Sequence, residues 1–178
     1  MNPISTLINK IHENDLWDEE ITLKRNEYLK VKGSIDTNLY FVKSGSLRIF
    51  VIDAAEEHTI RFGYKNNLIA ALDSFLNGKP SELYIQALKK TVIKSIRKQK
   101  YANFIESSAE HKKLWLAILE SFVLQQMERE RDILTSSPLE RYQRVLQRSP
   151  QLFQEIPNKY IASYLRMTPE TLSRIKKS

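Results

Sequence analysis

The stretch that most restricts the fold is the end of the chain. Ile161-Ala162-Ser163-Tyr164-Leu165 and Thr168-Pro169-Glu170-Thr171-Leu172-Ser173-Arg174-Ile175 read as two short helical segments joined by about three residues. Thr168 has the chemistry of an N-cap, and Pro169 sits at a first helical position, where no N–H is lost. So short a connection makes the helices cross. Ile161, Leu165, Leu172 and Ile175 fall where they hold the crossing, and Ala162 is small where the helices meet. Pro169, Glu170, Thr171, Ser173, Arg174 and Lys177 are left on the outer side. Side chains of this kind reach base edges: Arg donates two hydrogen bonds to guanine, and Glu accepts one from cytosine. Lys159, Thr168, Lys176 and Lys177 suit phosphate oxygens.

Charge is distributed in the same direction. The chain carries +7 overall. Residues 1–137 hold 20 Lys/Arg against 18 Asp/Glu, whereas residues 138–178 hold 8 against 3. A basic end fits a polyanionic partner, although a basic solubilising tail gives the same count.

Upstream, hydrophobic periodicity divides the chain. Ile4, Leu7, Ile8 and Ile11 make one helical stripe. From about Ile21 to Ile96 the period shortens to two. Leu39–Val42 runs through a turn at Gly45 into Leu47, Ile49 and Val51, which alternate with Arg48 and Phe50 as in a half-buried strand. Thr59–Phe62, Leu83–Leu88 and Val92–Ile96 add strands, separated by Gly33-Ser34, Asp53, Asn66-Asn67 and Gly78-Lys79-Pro80. Many short strands at this spacing predict an antiparallel roll. Helical period returns at Tyr101–Ser107 and over Glu110 to about Leu134.

That long segment is apolar on more than one side, so it needs two partners. One is the roll. The other is the same helix of a second chain, through Leu116, Leu119, Val123 and Met127; burial within a single domain is the alternative. The helix then turns polar at Glu128-Arg129-Glu130-Arg131-Asp132. Ser137-Pro138-Leu139-Glu140 is a further helix start. Its helix runs to about Arg148, with Leu139, Tyr142, Val145 and Leu146 on one face. The expected units are 1–109, a roll with an N-terminal helix; 110–136, a dimerisation helix; and 137–178, a helix-turn-helix unit. The expected class is α+β.

Several chemistries find no support. The chain has no cysteine, which removes disulfides, thiolate metal sites and cysteine nucleophiles and fits a reducing cytoplasm. No apolar run reaches membrane-spanning length, and no secretory signal is visible at the N-terminus. His12, His58 and His111 lie in three separate elements, so no metal site is expected. Lys89, Lys90, Lys94, Arg97, Lys98 and Lys100 read as a solvated strand edge. No catalytic triad, phosphate-binding glycine loop or carboxylate pair stands out, and no enzyme is expected.

Taken together, Leu39–Gly45, the Pro80-Ser81-Glu82…Ile85–Leu88 strand and above all Ile161–Ile175 resemble the Crp/Fnr family of bacterial transcription regulators. The resemblance implies a cyclic-nucleotide-binding-like β-roll, a dimerisation helix and a helix-turn-helix. The family's Glu-Thr-x-x-Arg pattern falls on Glu170, Thr171 and Arg174, and the resemblance implies direct base contacts by Glu170 and Arg174 on a pseudo-palindromic double-stranded operator, with RNA polymerase as a further partner. Members that bind cyclic AMP hold it with a Gly-Glu pair and, about ten residues on, an Arg-Ser pair. Ala70-Ala71 and Ser81-Glu82 stand at those places here, so the phosphate loses its cation and cyclic AMP is not the expected effector. Any small-molecule effector is unidentified. Only four residues follow Arg174, which leaves no room for the family's β-hairpin wing, and Arg166 stands where the turn commonly has glycine. The residues thus predict a DNA-binding regulator. The alternative is a ligand-sensing or protein-interaction module that has lost DNA binding.

Overall fold

The computed structural model describes residues 2–177. Met1 and Ser178, the outermost residues of the first and last expected units, lie outside the described residues. The fold is α+β. Asn2 caps helix α1 (Pro3–Glu13), its side chain accepting a hydrogen bond from Ile4 N at 3.0 Å. Strands β1 (Glu19–Leu23), β2 (Tyr28–Lys30), β3 (Asn38–Ser44), β4 (Ser46–Asp53), β5 (Glu56–Tyr64) and β6 (Leu68–Ile69) follow. Helix α2 (Leu72–Asn77) separates them from β7 (Tyr84–Ala87) and β8 (Thr91–Arg97). The strands form two antiparallel sheets, ordered β1-β8-β3-β6 and β2-β7-β4-β5. Between them lies an aliphatic core that includes Val42, Leu47, Ile49, Ile85 and Ile93. Gly45 makes the β3–β4 corner at φ +90°, and a Cβ there would meet Thr91 Oγ1 at 2.4 Å. Conformation and space both demand glycine.

Helices α3 (Lys98–Glu106) and α4 (Ala109–Leu134) close one side of the roll. The α1 stripe of Leu7, Ile8 and Ile11 packs there with Phe75, Tyr101, Phe104 and Ile118. Helices α5 (Pro138–Arg148), α6 (Pro150–Glu155), α7 (Asn158–Tyr164) and α8 (Pro169–Ile175) complete the chain. Their core of Val145, Leu152, Ile156, Ile161, Leu165 and Leu172 includes Phe62 and Leu88 of the roll. The C-terminal helices are therefore seated on the second sheet.

This seating corrects three expectations. Strand β4 is not half-buried, because Arg48 and Phe50, its outward residues, are 4% and 0% exposed. The Arg48 guanidinium lies over Phe50 and Tyr160 and hydrogen-bonds Gln86 Oε1 at 3.0 and 2.7 Å and Glu57 at 2.5 Å. The polar turn of α4 is not solvated: Arg129 and Asp132 are buried, and Asp132 binds Arg144 (3.1 Å) and Arg148 of α5. The lysine-rich run does not follow a strand edge, since β8 lies between β1 and β3. Its cations disperse instead: Lys89 pairs with Glu155 at 2.8 Å, and Arg97 and Lys100 pair with Asp18 at 3.4 Å. On α5, Val145 is buried but Leu139 is exposed.

Candidate nucleic-acid interface

The geometry of the last two helices starts from their caps. Helix α7 ends in a left-handed residue, Arg166, at φ +52°. Arg166 N donates to Ser163 O (3.1 Å) and Met167 N to Ala162 O (3.0 Å), the paired bonds of a Schellman ending. The side chain of Arg141, on α5, fixes this turn from outside. Its Nε donates to Leu165 O (2.9 Å) and its Nη2 to Arg166 O (3.2 Å), while Nη1 reaches Thr135 O and Ser136 O at 2.6 and 3.2 Å. Five hydrogen-bond donors in one planar fork suit four carbonyls on two segments. Sequence reasoning passed over Arg141, since nothing local marks an exposed-looking helical Arg as a clamp.

Thr168 then caps α8, accepting from Thr171 N at 3.2 Å. Ile161, Leu165 and Leu172 are fully buried at the crossing, and Ala162 nearly so. Pro169, Glu170, Ser173, Arg174 and Lys177 are exposed and together line one shallow surface concavity. The Glu170 carboxyl lies below its ordinary range, because its own backbone N–H and the Thr168 hydroxyl hydrogen-bond to it. At neutral pH it is an acceptor only. Thr171 is half-buried and its hydroxyl shares the cap with Thr168 (3.2 Å), so both threonines are engaged inside the helix start. Lys176 Nζ donates to Asn158 Oδ1 at 3.0 Å, tying the end of α8 to the start of α7. Lys159 lies over the Tyr160 ring at 4.5 Å.

Helix α4 divides its apolar residues between two sides. Leu114, Trp115, Ile118 and Phe122 pack on the roll. Leu116, Val123 and Met127 point outward, 56%, 60% and 56% exposed, with Leu119 half-buried. Leu124 and Leu134, also exposed, widen and lengthen this strip.

The Ala70–Glu82 segment has a different character. Ala71 and Ser81 are fully buried, Ala70 partly so, and Glu82 pairs with Lys32 on the surface at 2.5 Å. Asp73 takes the donors of this loop. Its carboxylate accepts from Ser81 Oγ (2.8 Å), Glu82 N (3.0 Å) and Ser74 N (2.8 Å). Burial pushes the Asp73 carboxyl up, but these hydrogen bonds outweigh it and hold the group below the usual carboxylate range. The donors of this loop are thus taken by a carboxylate of the chain itself. The adjoining space inside the roll is about 30 Å³, walled by Leu39, Ile49, Phe75 and Trp115. Sites for small organic ligands run to hundreds of Å³. The residues of this segment do not fit a cyclic nucleotide. Among the described residues, no group of three or more potential ligands could hold a metal, and no helix is long and apolar enough to cross a membrane.

A β-roll carrying a long helix and a crossed pair of capped helices defines the architecture of Crp/Fnr-type regulators. Residues 20–108 match the cyclic nucleotide-binding domain, and the chain belongs to that family. Three solved structures carry the likeness across most of the chain. FixK2 from Bradyrhizobium japonicum superposes with a TM-score of 0.73 at 16% identity, covering 89% of this chain and 82% of that one. A CooA mutant from Carboxydothermus hydrogenoformans gives 0.71 at 15% identity, covering 89% and 74%. The c-di-GMP-responsive global regulator CLP from Xanthomonas campestris gives 0.68 at 12%, covering 97% and 90%. At these identities the likeness is one of fold. No curated protein matches the sequence.

Proposed function

We propose that the chain is a homodimeric, sequence-specific DNA-binding transcription regulator that does not respond to cyclic AMP. The observation that carries the reading is the α8 surface. Glu170, Ser173, Arg174 and Lys177 share one exposed concavity along a capped helix and its end. Such a helix start enters a major groove, where Arg174 and Glu170 contact base edges. Thr171 and Thr168 hold the helix start, and Lys159, Lys176 and Lys177 meet phosphates.

The outward strip of α4 supplies the second copy. Leu116, Val123, Met127 and Leu134 recur at alternating seven- and four-residue intervals, the spacing of a coiled-coil seam. Two such helices side by side set the two α8 helices roughly 34 Å apart, one turn of duplex, and the operator is pseudo-palindromic.

Selection of bound fragments from genomic DNA, followed by titration, tests this. The selected site is palindromic, and its affinity falls steeply with salt. Arg174→Ala lowers affinity for that site by about 1–3 kcal/mol and relaxes one base position. Val123→Glu yields monomers in sedimentation. No enrichment at low salt, or equal binding by Arg174→Ala, removes the DNA-reading assignment and leaves a sensing or interaction module.

A further inference from the structure

Where the roll, α4 and the C-terminal helices meet, they enclose a cavity of about 450 Å³. Three arginines from three elements line it: Arg61 of β5, Arg129 of α4 and Arg148 of α5. Among the described residues, no Asp or Glu lines it. Arg148 is already neutralised by Asp132 and by Glu128 at 3.6 Å. The other two are not. The ion pairs of this joint run through Arg144 and Arg148, bypassing Arg61 and Arg129.

Arg129 carries the strongest signal. It is 7% exposed, its guanidinium stacks on the Tyr164 ring at 3.7 Å, and its Nε is buried with no hydrogen-bond partner. The Arg61 guanidinium faces the Phe122 ring at 5.5 Å. Burial pushes both below the ordinary arginine range; the Asp132 carboxylate offsets this in part at Arg129, and no carboxylate does so at Arg61. Arg48, at the same joint, shows what a satisfied buried arginine looks like: a carboxylate, an amide oxygen and two rings. A buried guanidinium nitrogen without a hydrogen-bond partner is a destabilising feature that a bound anion would correct.

We propose that this joint cavity binds a small organic oxyanion, phosphate- or carboxylate-bearing, through Arg61 and Arg129. Its volume lies within the range of small-molecule sites. Planar guanidinium groups recognise either oxyanion, and the rings of Phe122 and Tyr164 provide contact for an organic body. No residue of the loop sealed by Asp73 lines the cavity, although Arg61, Leu68 and Phe122 also wall the small space beside that loop. Because Arg61 belongs to the roll, Arg129 to α4 and Tyr164 to α7, an anion here ties all three together. It therefore favours the arrangement in which the C-terminal helices sit on the roll. Any effect of that tie on operator affinity rests on the function proposed above; occupancy of the cavity does not.

The test uses the full chain with pyrophosphate and with citrate, each against sodium chloride of matched ionic strength. At saturation, one or both probes raise Tm by about 3 °C or more, and calorimetry gives a saturable isotherm. Which probe acts distinguishes phosphate from carboxylate as the ligand chemistry. Arg129→Gln and, independently on the other wall, Arg61→Gln weaken binding by about tenfold or more. Arg174→Ala leaves it unchanged. Without probe, Arg129→Gln melts no lower than wild type, because an unpaired buried charge has been removed; an arginine kept for packing alone would lower Tm. No shift beyond the salt control, or equal binding by both glutamine variants, overturns the site. Wild type that binds a probe but never DNA breaks the proposed function and leaves this site standing.

Discussion

Two polar regions of this molecule have opposite surfaces. At the Ala70–Glu82 loop, the donors Ser81 Oγ, Glu82 N and Ser74 N all close on Asp73, and Ser81 is fully buried. At α8, Glu170, Ser173, Arg174 and Lys177 stand exposed around a concavity. In the first region the anion is part of the chain, so the loop serves stability. In the second the side chains stand at the surface of the helix. The difference teaches that a loop can keep an anion-binding shape after its ligand has been replaced by a side chain. Exposure and satisfaction of the donors, not the outline of the backbone, separate the two cases.

The comparison breaks most visibly at Asp73. Asp73→Ala strands one buried hydroxyl and two backbone donors, and costs about 3 kcal/mol in urea unfolding. A loss under roughly 1 kcal/mol would mean that Asp73 is a spectator. The same residue sets a pH dependence. Its folded pKa lies below the unfolded value of 3.8, so its contribution is fully present above that value and disappears as pH falls through the folded pKa. Acid unfolding of Asp73→Ala therefore loses this component, and the stability gap between variant and wild type narrows below about pH 4.

On α8 the expected effects shift from folding to binding. Glu170→Ala lowers affinity for the selected operator by about 1–2 kcal/mol, while folding stability changes by about 0.5 kcal/mol or less. A larger folding loss would make α8 a structural element like the sealed loop. Thr168→Ala gives the smallest and least selective effect. It removes the cap of α8 and costs about 1 kcal/mol of stability, with DNA affinity falling only as far as the helix start frays. Binding reads this variant by fluorescence anisotropy, and amide exchange at Thr171 reads the fraying.

What could be read beforehand follows the range of the forces involved. The α8 start was legible because Thr168 and Pro169 act on their own backbone, and the crossing because Ile161, Ala162, Leu165 and Leu172 are neighbours in sequence. The stripe on α1 and the length of α4 were legible for the same reason. Arg48 and Phe50 were misread, and the burial of Arg129 and Asp132 went unread, because what covers them comes from elsewhere in the chain: Tyr160 on Arg48, Tyr164 on Arg129, Arg144 and Arg148 on Asp132. Helices α2 and α6, six residues each, are too short for a period to show. At the Ala70–Glu82 loop, the sequence shows Ser81-Glu82 where the resemblance expects Arg-Ser. The role of Asp73 was invisible, since Asp73 meets Ser81 and Glu82 only after α2 folds back.

The Arg141 clamp has a mechanical consequence. One guanidinium grips both the chain that leaves α4, at Thr135 and Ser136, and the turn that launches α8, at Leu165 and Arg166. The turn cannot pivot independently of the linker, so the α8 tip behaves as the end of a crank whose shaft is α4. A small twist of that shaft becomes a swing of the tip, so torque applied to α4 by the roll arrives at α8 as a change of angle.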